Sequence, residues 1–187
     1  MESDSHEITV LLRKHQAGSE EVVDKLMPLI YEQLKLMAHQ FMIRENSDNT
    51  LNTTGLVHEA YLRMLKQNAE YQNRSHFYAI VATTMRRILL EAVRSKKAQK
   101  RGDGAHKVPL EEHFMISEED ADQLISIDAA LNRLQTIDER LAQIVELRYF
   151  GGMKTKEIAI AIDCSESTVK RGWQTAKAWL FEYLKGK

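Results

Sequence analysis

Cysteine, proline and long apolar runs are all scarce in this sequence. A single cysteine, Cys164, among 187 residues excludes an intramolecular disulfide and a zinc site built from several cysteines, and it agrees with a reducing compartment. No run approaches the roughly 18 apolar residues of a membrane span, and the first residues, MESDSHEITV, lack the basic start and the apolar stretch of a signal peptide. We therefore expect a cytoplasmic protein without a membrane segment.

The two prolines, Pro28 and Pro109, and the eight glycines leave long stretches uninterrupted, which favours an all-α fold. Charge divides the chain, because residues 102–128 hold one lysine against eight acidic residues, whereas the segments on either side are mildly basic. The acidic stretch also contains glycines and a proline, as a boundary commonly does. We predict two small helical domains, residues 1–97 and 125–187, joined by an acidic linker of residues 98–124.

The segment LNTTGLVHEAYLRML, from Leu51 to Leu65, has the periodicity of an amphipathic helix. At about 100° per residue, the apolar half of its circumference holds Leu56, Val57, Ala60, Tyr61, Met64 and Leu65. Leu62 falls instead on the polar half, between His58 and Lys66. Single exposed leucines are common, so Leu62 is either an ordinary surface residue or a contact point for a partner.

The segment from His76 to Lys97 is also helical in pattern, and it carries most of the positive charge of the first block. One face holds Thr83, Arg86, Arg87, Arg94 and Lys97, opposite the apolar set Phe77, Val81, Met85, Ile88 and Ala92. A basic stripe on a packed helix is the pattern expected of a surface that binds nucleic-acid phosphates. The alternative is a solvated basic helix end that suits the helix dipole.

The second block contains GGMKTKEIAIAIDCSESTVKRGWQTAKAWLFEYL. The pattern predicts a short helix from about Thr155 to Ile162, a turn at Asp163 to Ser165, and a second helix capped by Ser165. Val169, Trp173, Ala176, Leu180 and Leu184 share the apolar face of that second helix. This arrangement predicts a helix-turn-helix whose second helix enters the major groove, although a plain helical hairpin would show the same two faces. The candidate DNA-contacting residues are Ser165, Ser167, Thr168, Lys170, Arg171, Gln174 and Lys177.

Three segments together resemble bacterial sigma factors of the extracytoplasmic-function (ECF) type. They are LVHEAYLRML at residues 56–65, HFYAIVATTMRRILLEAVR at residues 76–94, and ELRYFGGMKTKEIAIAIDCSESTVKRGWQTAKAWL at residues 146–180. The resemblance covers nearly the whole chain and implies sigma region 2, a linker and sigma region 4. Such proteins dock on core RNA polymerase, melt the promoter −10 element with region 2, read the −35 element with region 4, and catalyse nothing themselves.

The resemblance also assigns roles to particular residues. The helix around Leu62 matches the one that binds the clamp helices of the largest polymerase subunit, with His58, Glu59 and Lys66 flanking the leucine as charged and polar residues flank an interface hot spot. The segment before His76 matches the one that captures a flipped −10 base. Its candidate base and DNA contacts are Tyr71, Asn73, Arg74 and Phe77, of which Phe77 is equally suited to the core. The acidic linker matches the segment that threads the polymerase active-site cleft and RNA exit path.

The sequence gives little support to an enzyme. His58-Glu59 lacks the second histidine that a metalloprotease helix requires, Cys164 suits a small buried thiol in a turn, and no phosphate-binding glycine loop or serine elbow occurs. We expect no catalytic residue, metal or cofactor. Two non-enzymatic alternatives to a sigma factor are a helix-turn-helix regulator that acts without polymerase and a helical sigma-binding antagonist.

The entrance to the Leu62 helix departs from the family pattern. Most members have an acidic patch just before the Leu-Val pair, facing basic residues of the polymerase clamp, whereas this chain has Asn52, Thr53, Thr54 and Gly55. Phosphorylation adds about −1.5 to −2 charge, which a helix start with free amides favours. The departure resembles a subgroup linked to Ser/Thr protein kinases. It predicts activation by phosphorylation of Thr54 or Thr53; the alternative is that threonine simply caps the helix.

Overall fold

The computed structural model describes residues 2–16, 21–42, 50–66, 71–100 and 118–186. These residues form helices and short connections and contain no strand, which confirms the all-α prediction over the described part of the chain. The helices are α1 (Glu2–Gln16), α2 (Val22–Met42), α3 (Thr50–Lys66), α4 (Arg74–Lys100), α5 (Glu118–Ile137), α6 (Glu139–Tyr149), α7 (Thr155–Ala161) and α8 (Glu166–Lys185).

Helices α1 to α4 form a first unit, because each buries the apolar side that its periodicity predicts. Leu56 and Val57 of α3 are fully buried against α4, whose Met85 and Ile88 are also inaccessible. Burying a side chain of this size is worth about 1.5–3 kcal/mol. Pro28 lies inside α2 at an exposed position, and α2 continues past it to Met42.

Helices α5 to α8 form a second unit with a smaller core of its own. Leu131 and Leu134 of α5 pack with Val145 of α6 and Ala176 of α8. Asp138 separates α5 from α6, and its carboxylate accepts a hydrogen bond from the Leu141 amide at 3.0 Å, capping α6. Of the predicted linker, residues 101–117 lie outside the described residues, while α4 and α5 extend into it from either side.

The two units are packed against each other in this structure. Ile144 of α6, Ile158 of α7 and Val169 of α8 belong to the same buried cluster as the side chains of α1 to α4. Helix α4 contacts α5, α6 and α7. Gly151 makes the approach close, because a Cβ atom there would lie 3.3 Å from the Cβ of Ala82 on α4. Helix α4 is therefore covered from both sides, which the prediction of two separate blocks did not anticipate.

None of the described helices is both long enough and apolar enough to cross a membrane.

Candidate nucleic-acid and protein interfaces

The connection between α7 and α8 is a tight turn built by three consecutive residues. Asp163 has a φ of 48°, a left-handed conformation that aspartate tolerates better than most residues. The Cys164 amide donates to the Ala159 carbonyl at 2.9 Å. The Ser165 hydroxyl accepts from the Thr168 amide at 3.1 Å and so caps α8. The predicted short helix, turn and Ser165 cap are confirmed.

Helix α8 has one anchored face and one free face. Val169 and Ala176 are fully buried, and Trp173 is half-buried beneath the Arg148 guanidinium, which lies 5.3 Å from the ring centroid. The predicted apolar face does not extend to the end of the helix, since Leu184 is exposed. The predicted DNA-contacting residues lie on the opposite face, where Ser165, Ser167, Lys170, Arg171, Gln174 and Lys177 are exposed and Thr168 is half-buried.

Gly172 explains how closely α8 lies against α6. A Cβ atom at this position would lie 2.6 Å from Cδ1 of Ile144. A glycine inside a helix costs about 1 kcal/mol relative to alanine, and here it allows the backbone of α8 to approach α6. The sequence pattern alone assigned no role to Gly172.

Leu62 of α3 lies on the outer surface with 50% of its area exposed, as the periodicity predicted. His58 is exposed beside it, and Lys66 lies in the last turn of α3, where its side chain is outside the described residues. Glu59 accepts a hydrogen bond from Arg63 at 2.9 Å, and Arg63 also pairs with Glu91 of α4 at 2.6 Å. The hydrogen bond to Glu91 is the main reason why the pKa of Arg63 is raised. This pairing links α3 to α4 at the residue that follows the exposed leucine.

The entrance of α3 differs from the expectation. The helix begins at Thr50, so the free amides of its first turn belong to residues before Thr53, and the expectation that Thr53 and Thr54 carry those amides is wrong. Thr53 is buried, with 5% of its area exposed. Its hydroxyl is inaccessible to a kinase in this arrangement, so modification of Thr53 requires the start of α3 to unfold. Thr54 is half-buried and remains a candidate.

The aromatic residues just before α4 and in its first turn are buried, whereas a surface that captures a DNA base must be open to solvent. Tyr71 and Phe77 are buried, with 6% and 4% of their areas exposed, and their rings meet edge to face at 5.3 Å between centroids. In this arrangement neither ring offers a face for stacking. For Tyr71 this differs from the expected DNA contact, whereas Phe77 takes the core position that the sequence equally allowed. Burial also raises the pKa of Tyr71.

Asn73 and Arg74 have structural partners that the sequence did not predict. The Asn73 carboxamide oxygen accepts from the His76 amide at 2.9 Å, so Asn73 caps α4. The Arg74 amide donates to the Thr9 hydroxyl at 3.3 Å. The guanidinium of Arg74 lies 5.3 Å from the ring centroid of Tyr78. Both side chains are half-buried.

The basic stripe on α4 is divided between solvent and the second unit. Its apolar counterpart Phe77, Val81, Met85, Ile88 and Ala92 is buried as predicted. Arg87 and Arg94 are exposed, and Thr83 is half-buried with its hydroxyl donating to the Ala79 carbonyl at 3.2 Å. Arg86, in contrast, is 8% exposed and pairs with Asp128 of α5 and Glu146 of α6. The expectation that Arg86 lies on an open phosphate-binding face is therefore wrong for this arrangement.

Asp128 and Glu146 are the interface residues that sequence reasoning missed. Asp128 lies four residues after Leu124 and three before Leu131, on the apolar side of α5, and it is 5% exposed. A carboxylate on an apolar helix face needs a buried cationic partner. The place of Asp128 on the apolar face of α5 therefore indicated that it has a buried partner. The sequence could not identify Arg86 as that partner, because Arg86 is 42 residues away.

A family model described as "ECF sigma factor" matches residues 5–186 of the chain. No curated protein and no solved structure gives a significant match. The match spans most of α1 and the whole of α2 to α8, so it covers both helical units. The chain therefore belongs to the ECF sigma factor family, whose members are alternative sigma factors that direct transcription initiation.

Proposed function

We propose that this protein binds core RNA polymerase through the surface around Leu62 and directs initiation at promoters whose −35 element is read by α8. The observation that carries the proposal is the exposed face of α8, which is polar and basic from Ser167 to Lys177 while the opposite face is anchored in the core; the exposed Phe181 lies beyond this stretch. A helix held in this way can enter the major groove without rearranging.

The first turns of α8 are suited to base and phosphate contacts. Lys170 and Arg171 are exposed one and two residues after the buried Val169, so the packing of Val169 sets the direction in which they project. Arginine pairs with the O6 and N7 atoms of guanine, and serine and glutamine donate to bases or phosphates. Ser167 and Gln174 lie on the same exposed face, and Lys177 continues it toward the backbone of the duplex.

Polymerase binding is proposed for the outer face of α3. Leu62 provides apolar area that no described part of the chain covers, and it is bordered by the polar His58 and the charged Glu59–Arg63 pair. An apolar anchor within a polar rim is the usual composition of an interface hot spot. Lys66 is assigned to the same surface by its place in the helix.

The −10 element is proposed to meet α4 and the segment before it. Arg87 and Thr83 line the cleft beside α6, where they suit phosphate contacts. Arg94 is exposed but pairs with Asp128 at 3.0 Å, so a phosphate contact would replace that pair. Asn73 and Arg74 stand at the start of the same helix. Use of Arg86, Tyr71 and Phe77 requires the two units to separate and the aromatic pair to repack.

Regulation is proposed through phosphorylation of Thr54 by a Ser/Thr protein kinase. Helix α3 has no acidic residue in its first turn, so a phosphate one turn further along supplies the negative charge that the polymerase clamp otherwise meets in this family. The half-buried position of Thr54 is compatible with modification when the start of α3 frays.

The test is run-off transcription with purified chain and core polymerase from the host organism, using the promoter of the chain's own gene. Addition of the chain is expected to give a discrete transcript that core polymerase alone does not produce. Binding of a DNA site without polymerase, and no transcript, would point instead to a conventional regulator. Prior treatment with host kinase and ATP should increase the transcript for wild type and leave Thr54→Ala unchanged.

A further inference from the structure

Arg148 lies in the last turn of α6 and contacts both α7 and α8. Its Nη2 atom donates to the Thr155 hydroxyl at 2.6 Å, and Thr155 is the first residue of α7. The same guanidinium lies 5.3 Å from the ring centroid of Trp173, which is in the middle of α8. One side chain of α6 therefore connects the start of α7 to the middle of α8.

The guanidinium of Arg148 makes these two contacts although one of its donors is left unpaired. Its Nε atom is buried and has no hydrogen-bond partner among the described residues. An unsatisfied buried donor lowers stability, and most buried polar groups in proteins are paired. A planar guanidinium can hydrogen-bond along one edge while its face lies on an aromatic ring. Arg148 is thus better suited to fixing an orientation between α7 and α8 than to adding stability.

Trp173 occupies the position that determines how α8 is rotated about its own axis. Val169 and Ala176, seven residues apart, are fully buried and fix one line of contact along the helix. Gly172 has no side chain, and the backbone of α8 lies close to Ile144 of α6 at this turn. Trp173 supplies the bulky side chain of the same turn and packs against both apolar clusters. A shift of its indole ring would therefore rotate α8.

The candidate DNA-contacting residues of α8 lie around Trp173. Lys170 precedes it by three residues, Gln174 follows it directly, and Lys177 lies four residues after it; all three side chains are exposed. At about 100° per residue, Lys170 and Lys177 lie within about 60° of Trp173 around the helix. Their positions in a DNA groove therefore depend on the placement of the Trp173 ring, which Arg148 contacts.

We propose that Arg148 is a positioning residue for promoter recognition. By contacting Thr155 and Trp173 together, it fixes the rotation of α8 relative to α7 and thereby sets discrimination at the −35 element. The inference rests on the proposed function, because it concerns the helix that reads the −35 element. Arg148 acts through Trp173 and contacts no base. Thr155 acts with it, since the Thr155 hydroxyl holds one edge of the guanidinium.

The first experiment measures binding of the full chain, assembled with core polymerase, to promoter duplexes with an intact or a scrambled −35 element. Arg148→Met keeps an unbranched side chain but removes the charge and the donors. It should lower the ratio of the two affinities by about tenfold, the size of one lost base contact. Thr155→Val should act in the same direction, whereas Thr155→Ser keeps the hydroxyl and should match wild type. The control Arg140→Met, at an exposed position of the same α6 helix, should leave the ratio unchanged.

The double variant Arg148→Met/Thr155→Val tests whether the two residues act together. It should discriminate no worse than Arg148→Met alone, because the second change removes a contact that is already lost. Losses of discrimination that add would contradict the proposal. An unchanged ratio for Arg148→Met, with a lower free energy of unfolding in urea, would also overturn it and leave Arg148 with a role in stability alone.

Salt dependence separates positioning from a direct phosphate contact. A lost phosphate contact weakens binding to both duplexes equally and lowers the slope of log affinity against log salt by about 1. Positioning predicts an unequal loss with an unchanged slope. Equal losses with a shallower slope would refute positioning, while discrimination by the wild type would still support −35 reading by α8. If the wild type itself binds the two duplexes equally, the proposed function of α8 fails and the inference fails with it.

Fluorescence of Trp173 reports the contact in the absence of DNA and polymerase. The chain has two tryptophans, so Trp179→Phe leaves Trp173 as the single one. In that background Arg148→Met and Thr155→Val should both change the emission of Trp173, because each removes or releases the cation over its ring. Arg140→Met and Thr155→Ser should leave the emission unchanged. Unchanged emission for Thr155→Val would show that Thr155 does not hold the guanidinium and would overturn the proposal.

Discussion

Replacement of Leu62 by aspartate should separate polymerase binding from folding. Fully burying a leucine is worth about 1.5–3 kcal/mol, and Leu62 is 50% exposed, so covering its free half stabilises a complex by about 0.8–1.5 kcal/mol. Leu62→Ala should therefore weaken binding to core polymerase by about 4- to 12-fold. Leu62→Asp also places a carboxylate in the interface. Desolvating this carboxylate brings the total loss of binding free energy to about 3 kcal/mol, which is about 150-fold in affinity.

The same change should have little effect on the isolated protein. Leucine and aspartate differ by less than about 0.7 kcal/mol in helix propensity, and no described core residue depends on the exposed side of Leu62. The assay is a fluorescence titration of labelled chain with core polymerase, with circular dichroism for helicity. Val10→Asp, a matched change of an exposed apolar residue on α1, serves as the control. Near-native affinity of Leu62→Asp, or equal weakening by Val10→Asp, would refute the assignment of the α3 surface.

Further changes test the other surfaces. Replacing Lys170 and Arg171 by alanine should weaken binding to the −35 element by about 1–3 kcal/mol for each bidentate contact with a base that is lost. Binding is measured on promoters with an intact and with a scrambled −35 element. An equal loss of affinity for the two promoters would contradict base reading. Arg87→Ala should reduce permanganate reactivity of the melted −10 region without changing binding to core polymerase, and unchanged footprints would exclude a role for this arginine. Ser165→Ala should lower the free energy of unfolding by about 1 kcal/mol while Ser165→Asp preserves it, as measured by urea denaturation; no difference between them would deny the cap. Thr54→Ala should lose the response to kinase but keep the basal transcript, and a retained response would place the modification elsewhere.

Local features of this fold followed from the sequence because they depend on neighbouring residues. The exposure of Leu62 and the two faces of α8 follow from helical periodicity, and the Ser165 cap follows from its place before a helical pattern. The start of α3 at Thr50 was not predicted, because residue types that favour an N-cap occur on both sides of it, at Ser47, Asp48, Asn49, Asn52 and Thr53. Helix boundaries are the features that periodicity defines least.

The candidate site was predicted less completely where it depends on distant partners. Arg86 and Arg87 are neighbours in the basic stripe, and the sequence does not distinguish them. Arg86 is buried because it pairs with Asp128 and Glu146, which are 42 and 60 residues away. Tyr71 and Phe77 similarly pack edge to face and are both buried. No single-sequence pattern identifies such pairs, because periodicity specifies the face on which a residue lies but not what covers that face.

The most direct test of the account is transcription from fragmented genomic DNA of the host by its core polymerase with and without this chain, followed by sequencing of the transcript 5′ ends. The account predicts a set of new start sites that share two motifs at fixed spacing, centred near −35 and −10, and that disappear with Leu62→Asp. Start sites identical to those of core polymerase alone, or new sites that persist with Leu62→Asp, would contradict it.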